Sequence, residues 1–82
     1  MNSEQIYRQL TGIFREVFED QSITPTAQMT AADVAAWDSF NHINLIVAIE
    51  ARFKIKFRTA ELESLRNVAQ LAEAIEKKVN GS

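Results

Sequence analysis

The apolar side chains near the start of the chain recur every three or four residues, which is the repeat of one face of an α-helix. They are Ile6, Leu10, Ile13, Phe14, Val17 and Phe18. Asn2 and Ser3 stand just before them, and a short polar side chain there can accept hydrogen bonds from the free amides of a first turn. Gly12 lowers the helix propensity without ending the helix. The pattern predicts a helix over about 4–18.

The helical repeat stops in the next stretch, "DQSITPTAQMTAADVAAW", which spans residues 20–37. Pro25 has no amide hydrogen and biases Thr24 towards an extended backbone, so a helix should not cross it. A loop this long in so small a domain is usually functional. Its apolar side chains are spaced irregularly and are expected to pin the loop across the core. They are Ile23, Met29, Val34 and Trp37.

The segment "SFNHINLIVAIEARF", residues 39–53, combines helical spacing with apolar residues on nearly every side. Phe40, Ile43, Ile46, Val47 and Phe53 follow the helical repeat, and Leu45 and Ile49 widen the stripe. A helix of this kind is expected to be central, with several neighbours. The β-branched run "INLIVAI" would also suit a buried strand, but fifteen residues between breakers favour a helix. Asp38 is a good N-cap for this helix.

The rest of the chain predicts a connector and two further helices. "KIKF", residues 54–57, alternates like a strand but has no partner strand, so it is interpreted as an extended connector. Thr59 is expected to cap a short helix over about 60–65, with Leu62 and Leu65 facing inward.

A last helix is predicted to open at Asn67, with Gln70 in the capping-box relation, and to close at Gly81. Its stripe consists of Val68, Leu71, Ala72, Ile75 and Val79. The predicted fold is therefore an all-α, small four-helix bundle of three main helices and one short helix, with a long ordered loop between the first two. All of residues 1–82 are expected to form a single domain.

Composition narrows the function mainly by exclusion. The sequence has no cysteine, so disulfides, thiolate metal sites and a thiol nucleophile are excluded, and its one histidine argues against a zinc site. No stretch reaches the roughly 20 apolar residues of a membrane span, and the N-terminus lacks the features of a secretory signal. The expectation is a cytoplasmic, monomeric domain that holds no metal and does not span a membrane.

Charge is distributed unevenly along the chain. Residues 1–38 carry six acidic and two basic side chains, a balance of −4, whereas residues 39–82 carry five acidic and seven basic ones, a balance of +2. No broad basic face of the kind that nucleic acids require is visible, so no nucleic-acid partner is expected. The local cluster of Arg52, Lys54, Lys56 and Arg58 is interpreted as a solvated, charged loop.

Asp38, Ser39 and His42 stand within five positions of one another, which raises three hypotheses for Ser39. A hydrolytic triad needs an ordered base, an orienting acid and an oxyanion hole in a closed pocket, and the segment has no glycine-rich turn to supply them. His42 is expected instead at an exposed or rim position. On helix logic alone, the favoured hypothesis is that Ser39 is an ordinary polar residue of a first helical turn. It can also be the exposed attachment point of a phosphate, because anions are stabilised at helix N-termini.

The stretch "WDSFNHINLIVAIEARFKIKF", residues 37–57, closely resembles the conserved segment of acyl carrier proteins and related carrier domains. In that family an Asp-Ser-Leu motif opens the second helix, and its serine accepts 4′-phosphopantetheine from coenzyme A. The resemblance covers essentially the whole chain, including the order of the helices and the long loop. It implies that Ser39 is the attachment site, with Asp38 and Phe40 as motif neighbours. Phe40 replaces the usual Leu and is expected to point under the helix.

The resemblance also implies how such a protein works. A separate phosphopantetheinyl transferase, with Mg²⁺, would use the Ser39 hydroxyl to attack the β-phosphate of coenzyme A. The attached arm ends in a thiol that holds an acyl group as a thioester, so the protein would be a carrier and not an enzyme. In this family the bundle can open to shelter the acyl chain. The positions that resemble that lining are Val47, Ile49, Phe53, Phe57, Leu62, Leu65 and Val68.

Partner recognition in the family typically uses acidic residues along the second helix, and this helix is poor in them. The implied partner surface consists of Asp38, Asn41, Asn44, Val47, Glu50 and Ala51. Its partners would be acyl-transferring, condensing or acyl-activating enzymes of a specialised lipid or secondary-metabolite pathway. An aminoacyl or peptidyl carrier loaded by an adenylating enzyme, and an unmodified helical interaction module, are the alternatives.

Overall fold

A computed structural model describes residues 2–81 of the protein. Within this range the chain contains four α-helices and a short 3₁₀ helix, and no β-strand. The α-helices are α1 (Ser3–Val17), α2 (Ser39–Phe53), α3 (Thr59–Ser64) and α4 (Val68–Asn80), and the 3₁₀ helix is Ala31–Asp33. The predicted all-α bundle of three main helices and one short helix is thus confirmed, with "KIKF" as a connector without regular structure.

The first helix begins at Ser3, directly after its cap residue Asn2. The Asn2 side chain accepts a hydrogen bond from the Gln5 amide at 2.9 Å, and the Gln5 side chain accepts one from the Asn2 amide at 3.0 Å. This reciprocal pair satisfies two donors at an end that has no preceding turn. The apolar stripe that follows is completely buried at Ile6, Leu10 and Phe14, so α1 forms one wall of the core.

The core lies between α1, α2 and α4, and α1 contacts both of the others. It consists of Ile6, Leu10, Ile13, Phe14, Phe18, Leu45, Ile46, Ile49, Val68, Leu71, Ala72 and Ile75. Each of these side chains is less than a tenth exposed, and no polar or charged residue among residues 2–81 is buried with them. Burial of apolar area, at about 25 cal/mol per Å², is therefore what holds the three main helices together.

The second helix packs on one side only, which corrects the expectation of a helix surrounded by neighbours. Leu45, Ile46 and Ile49 are buried in the core. The opposite face carries three large apolar side chains that are mostly exposed: Phe40 at 72%, Ile43 at 63% and Val47 at 58%. The sequence repeat could not separate the two faces, because apolar residues occur nearly all round this helix.

The long loop between α1 and α2 is ordered by contacts to α1 and α4, as predicted. The Met29 and Ala27 carbonyls accept hydrogen bonds of 3.0 Å from the Val68 and Ala69 amides. These amides belong to the first turn of α4 and have no acceptor within that helix. The Arg15 Nε donates to the Ile23 carbonyl at 2.8 Å and ties the loop to α1. The four apolar loop side chains, Ile23, Met29, Val34 and Trp37, pack against the core.

The start of α3 differs from the predicted cap, and the start of α4 differs only in the bond made by Gln70. Thr59 is the first residue of α3 and not its cap; Arg58 takes the cap position without a side-chain cap bond. Asn67 caps α4 as predicted, with its side chain accepting from the Gln70 amide at 2.9 Å. The Gln70 side chain, however, accepts from the Arg66 amide at 2.6 Å, one residue earlier than a capping box requires.

Glu61 anchors the short helix α3. Its carboxylate accepts a hydrogen bond from the Arg58 amide at 2.7 Å and forms an ion pair of 2.9 Å with Lys78 of α4. These two contacts, the amide first, hold the pKa of Glu61 below its ordinary value. The anchoring is therefore present at neutral pH and is lost as the pH falls through that lowered pKa. Leu62 and Leu65 are partly buried against the core, as expected.

The end of α2 stores backbone strain that can be tested. Lys54 has φ 58° and ψ 49°, which is the left-handed region, and its amide donates to the Glu50 carbonyl. Left-handed backbone costs a residue with a β-carbon about 1–2 kcal/mol, a cost that glycine avoids. We therefore expect Lys54→Gly to raise the free energy of unfolding by about 1 kcal/mol, measured by urea unfolding followed by circular dichroism.

Lys56→Gly is the matched control for this prediction. Lys56 lies two residues further on in the connector and does not have a positive φ. Glycine there only adds freedom to the unfolded chain, so stability should fall slightly. Equal effects of the two substitutions would contradict a role for strain at Lys54.

Candidate functional site

The end of the long loop is fixed by Trp37, which stands two residues before Ser39. The indole ring packs edge-on against Phe14 with 5.3 Å between ring centroids, and lies 5.9 Å from the ring of Phe18. Aromatic pairs in such arrangements contribute roughly 0.5–1.5 kcal/mol beyond the area they bury. The loop therefore reaches α2 from a position set by the core.

Asp38 then starts the helix. Its backbone is extended, and its carboxylate accepts a hydrogen bond from the Asn41 amide at 2.8 Å, which confirms the predicted N-cap. The Asp38 carbonyl accepts the first intrahelical bond, from the His42 amide at 2.8 Å. The Asn41 side chain turns back and donates to the Ala36 carbonyl at 2.7 Å. These bonds hold the last residues of the loop and the first turn of α2 in one arrangement.

Ser39 is the first residue of α2 and is exposed. Its hydroxyl makes no hydrogen bond to any other residue in the range 2–81, and the backbone amides of Ser39 and Phe40 have no acceptor there either. Free amides at a helix start, together with the positive end of the helix dipole, favour a negatively charged group. The site thus presents an available hydroxyl beside a place suited to a phosphate.

His42 is engaged with Trp37 and not with Ser39. Its Nδ1 accepts a hydrogen bond of 3.0 Å from the Trp37 indole N–H, and the two rings stack with an interplanar angle of 18°. The Asp38 carboxylate is used by the helix cap. His42 is half-buried, at the rim position that was predicted. The three residues therefore do not form a triad, and the geometry does not support hydrolysis.

Phe40 corrects one expectation about the motif. It was expected to point under the helix, but its side chain is 72% exposed. Phe40 is the second residue of α2 and lies on its outer face, three residues before Ile43 and seven before Val47, so all three side chains share that face.

Comparison with known proteins places the chain in a family. No protein-family model and no curated protein sequence matched it. Its structure is similar to the solution NMR structure of the holo acyl carrier protein from Geobacter metallireducens, with a TM-score of 0.87. The two chains share 49% sequence identity over 90% of this chain and 85% of the other.

The chain belongs to the acyl carrier protein family. This membership confirms the role expected from the resemblance, that of an acyl carrier and not of an enzyme. The four-helix fold is the fold of that relative as well. Among residues 2–81, no helix of the carrier is both long enough and apolar enough to pass through a membrane.

The positions of the carrier that were expected to meet partner enzymes lie along the outer side of α2. Asp38, Asn44, Val47 and Ala51 are exposed, whereas Asn41 and Glu50 are half-buried. Glu50 already accepts a hydrogen bond from the Phe57 amide at 2.9 Å. Its carboxylate therefore orders the connector, and it is less available to a partner than the sequence suggested.

The positions expected to line an acyl cavity fall into three groups. Ile49 and Val68 are completely buried in the core. Four others are partly buried and pack against it: Phe53, Phe57, Leu62 and Leu65. Val47 is 58% exposed on the outer face of α2, so it does not line the interior. Helical spacing alone could not show this, because Val47 lies next to core residues in sequence.

Sequence reasoning missed a groove beside the candidate attachment site. It is open to solvent and is lined by Ala31, Trp37, Asp38, Ser39, His42 and Ile43. Ala31 comes from the 3₁₀ helix of the loop, so the groove exists only because the loop folds back beside α2. The one sequence signal that could have indicated the groove is Trp-Asp-Ser followed by a histidine five residues after the tryptophan.

The cap of α2 yields a stability prediction that separates two contributions of Asp38, its capping hydrogen bond and its negative charge. Asp38→Ala removes the acceptor for the Asn41 amide and should lower the free energy of unfolding by about 1 kcal/mol. Asp38→Asn keeps a good capping side chain and should change it by only a few tenths of a kcal/mol, at most about 0.5. Urea unfolding of both variants measures this. An Asn variant as unstable as the Ala variant would show that charge, and not the cap, stabilises the helix start.

Proposed function

We propose that this carrier holds acyl groups as thioesters on a 4′-phosphopantetheine arm attached to Ser39 and delivers them to partner enzymes in the cytoplasm. The observation that carries the proposal is the Ser39 hydroxyl itself. It is exposed and unbonded within residues 2–81, at the start of α2, in a chain 49% identical to a holo acyl carrier protein. A serine that only served the helix start would need neither property.

The residues at this position fit such a group. In the transfer reaction the Ser39 oxygen bonds to the β-phosphorus of coenzyme A. The bond from that phosphorus to the bridging oxygen of the diphosphate breaks, and adenosine 3′,5′-bisphosphate leaves. The hydroxyl proton passes to a base of the transferase, which also supplies the Mg²⁺. When bound, the group supplies the thiol that this cysteine-free chain lacks.

The chain contributes position and electrostatics to this step. The Asp38 cap and the Trp37 contacts fix the first turn, so Ser39 is presented in one place on the surface. The free amides of Ser39 and Phe40 offset the negative charge of the phosphodiester. Ser39 directly follows Asp38, whose carboxylate is negative as well. The proton transfer is left to the transferase, in keeping with a carrier served by other enzymes.

The residues on the outer face of α2 support the proposal that this carrier serves a specialised pathway. From Ser39 to Ile49 the helix has no acidic or basic side chain other than His42, and its outer face presents Phe40, Ile43 and Val47. A partner enzyme that reads acidic residues through a basic patch finds no counterpart there. We infer that the cognate partners recognise an apolar face, and that electrostatic steering contributes little at this end of the interface.

The first test is the intact mass of the protein after incubation with coenzyme A, Mg²⁺ and a broad-specificity phosphopantetheinyl transferase. We expect a gain of one phosphopantetheine in the parent chain and none in Ser39→Ala. Ser64→Ala is the matched control, because Ser64 is also exposed but donates to the Glu61 carbonyl, and it should gain the full mass.

A folded parent chain without any mass gain would contradict the proposal and favour an unmodified helical interaction module. A gain that persists in Ser39→Ala would place the arm elsewhere. Where loading succeeds, presenting the holo form with an acyl-transferring or an adenylating enzyme separates an acyl carrier from an aminoacyl carrier.

A second test concerns partner choice. Asn44→Glu adds a charge on the exposed face of α2 and should raise kcat/KM for loading by a general fatty-acid acyltransferase with a basic docking patch. The increase should reach up to about fivefold, as for an exposed ion pair of about 0.2–1 kcal/mol. Gln28→Glu makes the same charge change in the exposed part of the long loop and should have no such effect.

The double variant Asn41→Asp/Asn44→Glu should increase loading further, although Asn41→Asp also removes the side-chain bond to the Ala36 carbonyl. Unchanged loading of both α2 variants would contradict the idea that missing acidic residues set partner choice.

A further inference from the structure

The side chains of Trp37 and His42 join the end of the long loop to the start of α2. The Trp37 indole N–H donates to Nδ1 of His42 with 3.0 Å between the two nitrogens, and the ring planes differ by only 18°. The indole itself is packed against Phe14 and Phe18. The hydrogen bond therefore ties the first turns of α2 to a ring that the core holds in place.

This hydrogen bond exists in only one charge state of His42. Because the indole N–H can only donate, Nδ1 must be the acceptor, and a neutral imidazole then has its hydrogen on Nε2. A protonated imidazole has hydrogens on both nitrogens, so two N–H donors would face each other. The Trp37 ring is fixed by its aromatic neighbours, whereas His42 is half-buried on the rim of the groove. Protonation therefore removes the bond, and His42 is the ring that is free to turn away.

The charged groups on the elements around His42 are carboxylates. Asp38 lines the same groove, and its carboxylate accepts from the Asn41 amide at 2.8 Å. Asp33 ends the 3₁₀ helix beside the groove, and its carboxylate accepts from the Thr30 amide at 2.9 Å. No lysine or arginine is among the lining residues. Negative charges favour a protonated imidazole, so they act against the indole bond as the pH falls.

We propose that His42 is a positioning residue for the attachment reaction, and that only its neutral form holds the Ser39 hydroxyl in the place where the transferase attacks with it. The inference rests on the proposed attachment at Ser39. Ser39 lies between the two bonded residues, two after Trp37 and three before His42. The bond thus closes a short ring of chain around Ser39. Without it, the first turn of α2, whose amides have no acceptor within the helix, is less restrained.

The other links between the same segments do not depend on an imidazole. The Asn41 side chain donates to the Ala36 carbonyl at 2.7 Å, and the Asp38 carboxylate caps the helix. Histidine is the one side chain that ordinarily changes charge between about pH 5 and 8. Protonation of His42 is therefore expected to loosen the position of Ser39 without detaching the loop from α2 or unfolding the protein.

Two variants of His42 separate the hydrogen bond from the rest of the side chain. His42→Asn keeps an acceptor, because the amide oxygen can lie near the place of Nδ1, and it does not change charge with pH. His42→Leu has no acceptor, and leucine is the better helix former, so a loss of function in this variant is not a loss of helix propensity. Circular dichroism verifies that both variants are folded.

Trp37 is the one tryptophan of the chain, so its indole gives a single N–H signal in the nitrogen-15-labelled protein. We expect this signal to move in the parent chain as the pH falls from about 8 to 5, the range in which histidine ordinarily titrates. It should stay in place over the same range in His42→Asn. In His42→Leu it should stand near the acid position of the parent at every pH.

The rate of phosphopantetheine loading, followed by intact mass, tests the positioning itself. The ratio of kcat/KM of the parent to that of His42→Asn cancels the pH dependence of the transferase. We expect this ratio to be highest at neutral pH and to fall by about twofold to tenfold in acid, the factor that one net hydrogen bond ordinarily contributes. At neutral pH, His42→Leu should lose a similar factor in kcat, with the KM for coenzyme A unchanged.

The outcomes separate this inference from the proposed function. A ratio that is the same at every pH, or a folded His42→Leu variant that loads as fast as the parent, overturns the positioning role and leaves the attachment at Ser39 intact. Where His42→Leu does not fold, the ratio between the parent and His42→Asn decides alone. Absence of a mass gain in the folded parent overturns the attachment and the positioning role with it.

Discussion

The contact between the Trp37 indole and two phenylalanine side chains at the C-terminal end of α1 is the constraint on which the functional end of this molecule depends. Phe14 and Phe18 hold the ring from one side, and His42 accepts its N–H. This fixes the end of a long loop at the point where α2 must begin. The Asp38 cap then has its place, and Ser39 becomes the first residue of the helix, with an exposed hydroxyl. A helix that began one residue later would have lost both the cap and the free amides beside the serine.

The same packing explains why α2 has an apolar outer face. The helix packs on α1 and buries Leu45, Ile46 and Ile49 in the core, and the end of the loop lies beside its first turns, where Trp37 donates to His42. The apolar residues of the outer face are left mostly exposed by the part of the chain that the structure describes. An exposed apolar stripe on a small domain is typical of an interaction surface. Part of the apolar sequence is therefore available for contacts with other molecules, in keeping with a protein that acts only through its partners.

Much of this architecture could be predicted from the sequence, because it depends on local rules. Helical spacing located the helices, and short polar side chains marked the starts of α1, α2 and α4. The serine was recognised because the chain around it resembles a family motif. What could not be predicted depends on tertiary contacts. Phe40 and Val47 fit the helical repeat as well as Ile49 does, and only the position of α1 decides that Ile49 is buried. Thr59 is not the cap because α3 begins one residue earlier than predicted, with Arg58 at the cap position and the Glu61 carboxylate accepting from the Arg58 amide. The hydrogen bond between Trp37 and His42, and the groove that it borders, require the loop to fold back beside the helix.

The central claim of this account is that the Ser39 oxygen carries the phosphodiester of the arm. Heteronuclear NMR of the loaded, isotopically labelled protein tests it most directly, through the scalar coupling between the phosphorus and the β-protons of the modified serine. The account predicts one phosphodiester signal, correlated with the β-protons of Ser39. A correlation with Ser22 or Ser64, or a loaded protein whose phosphorus couples to no serine, would contradict it.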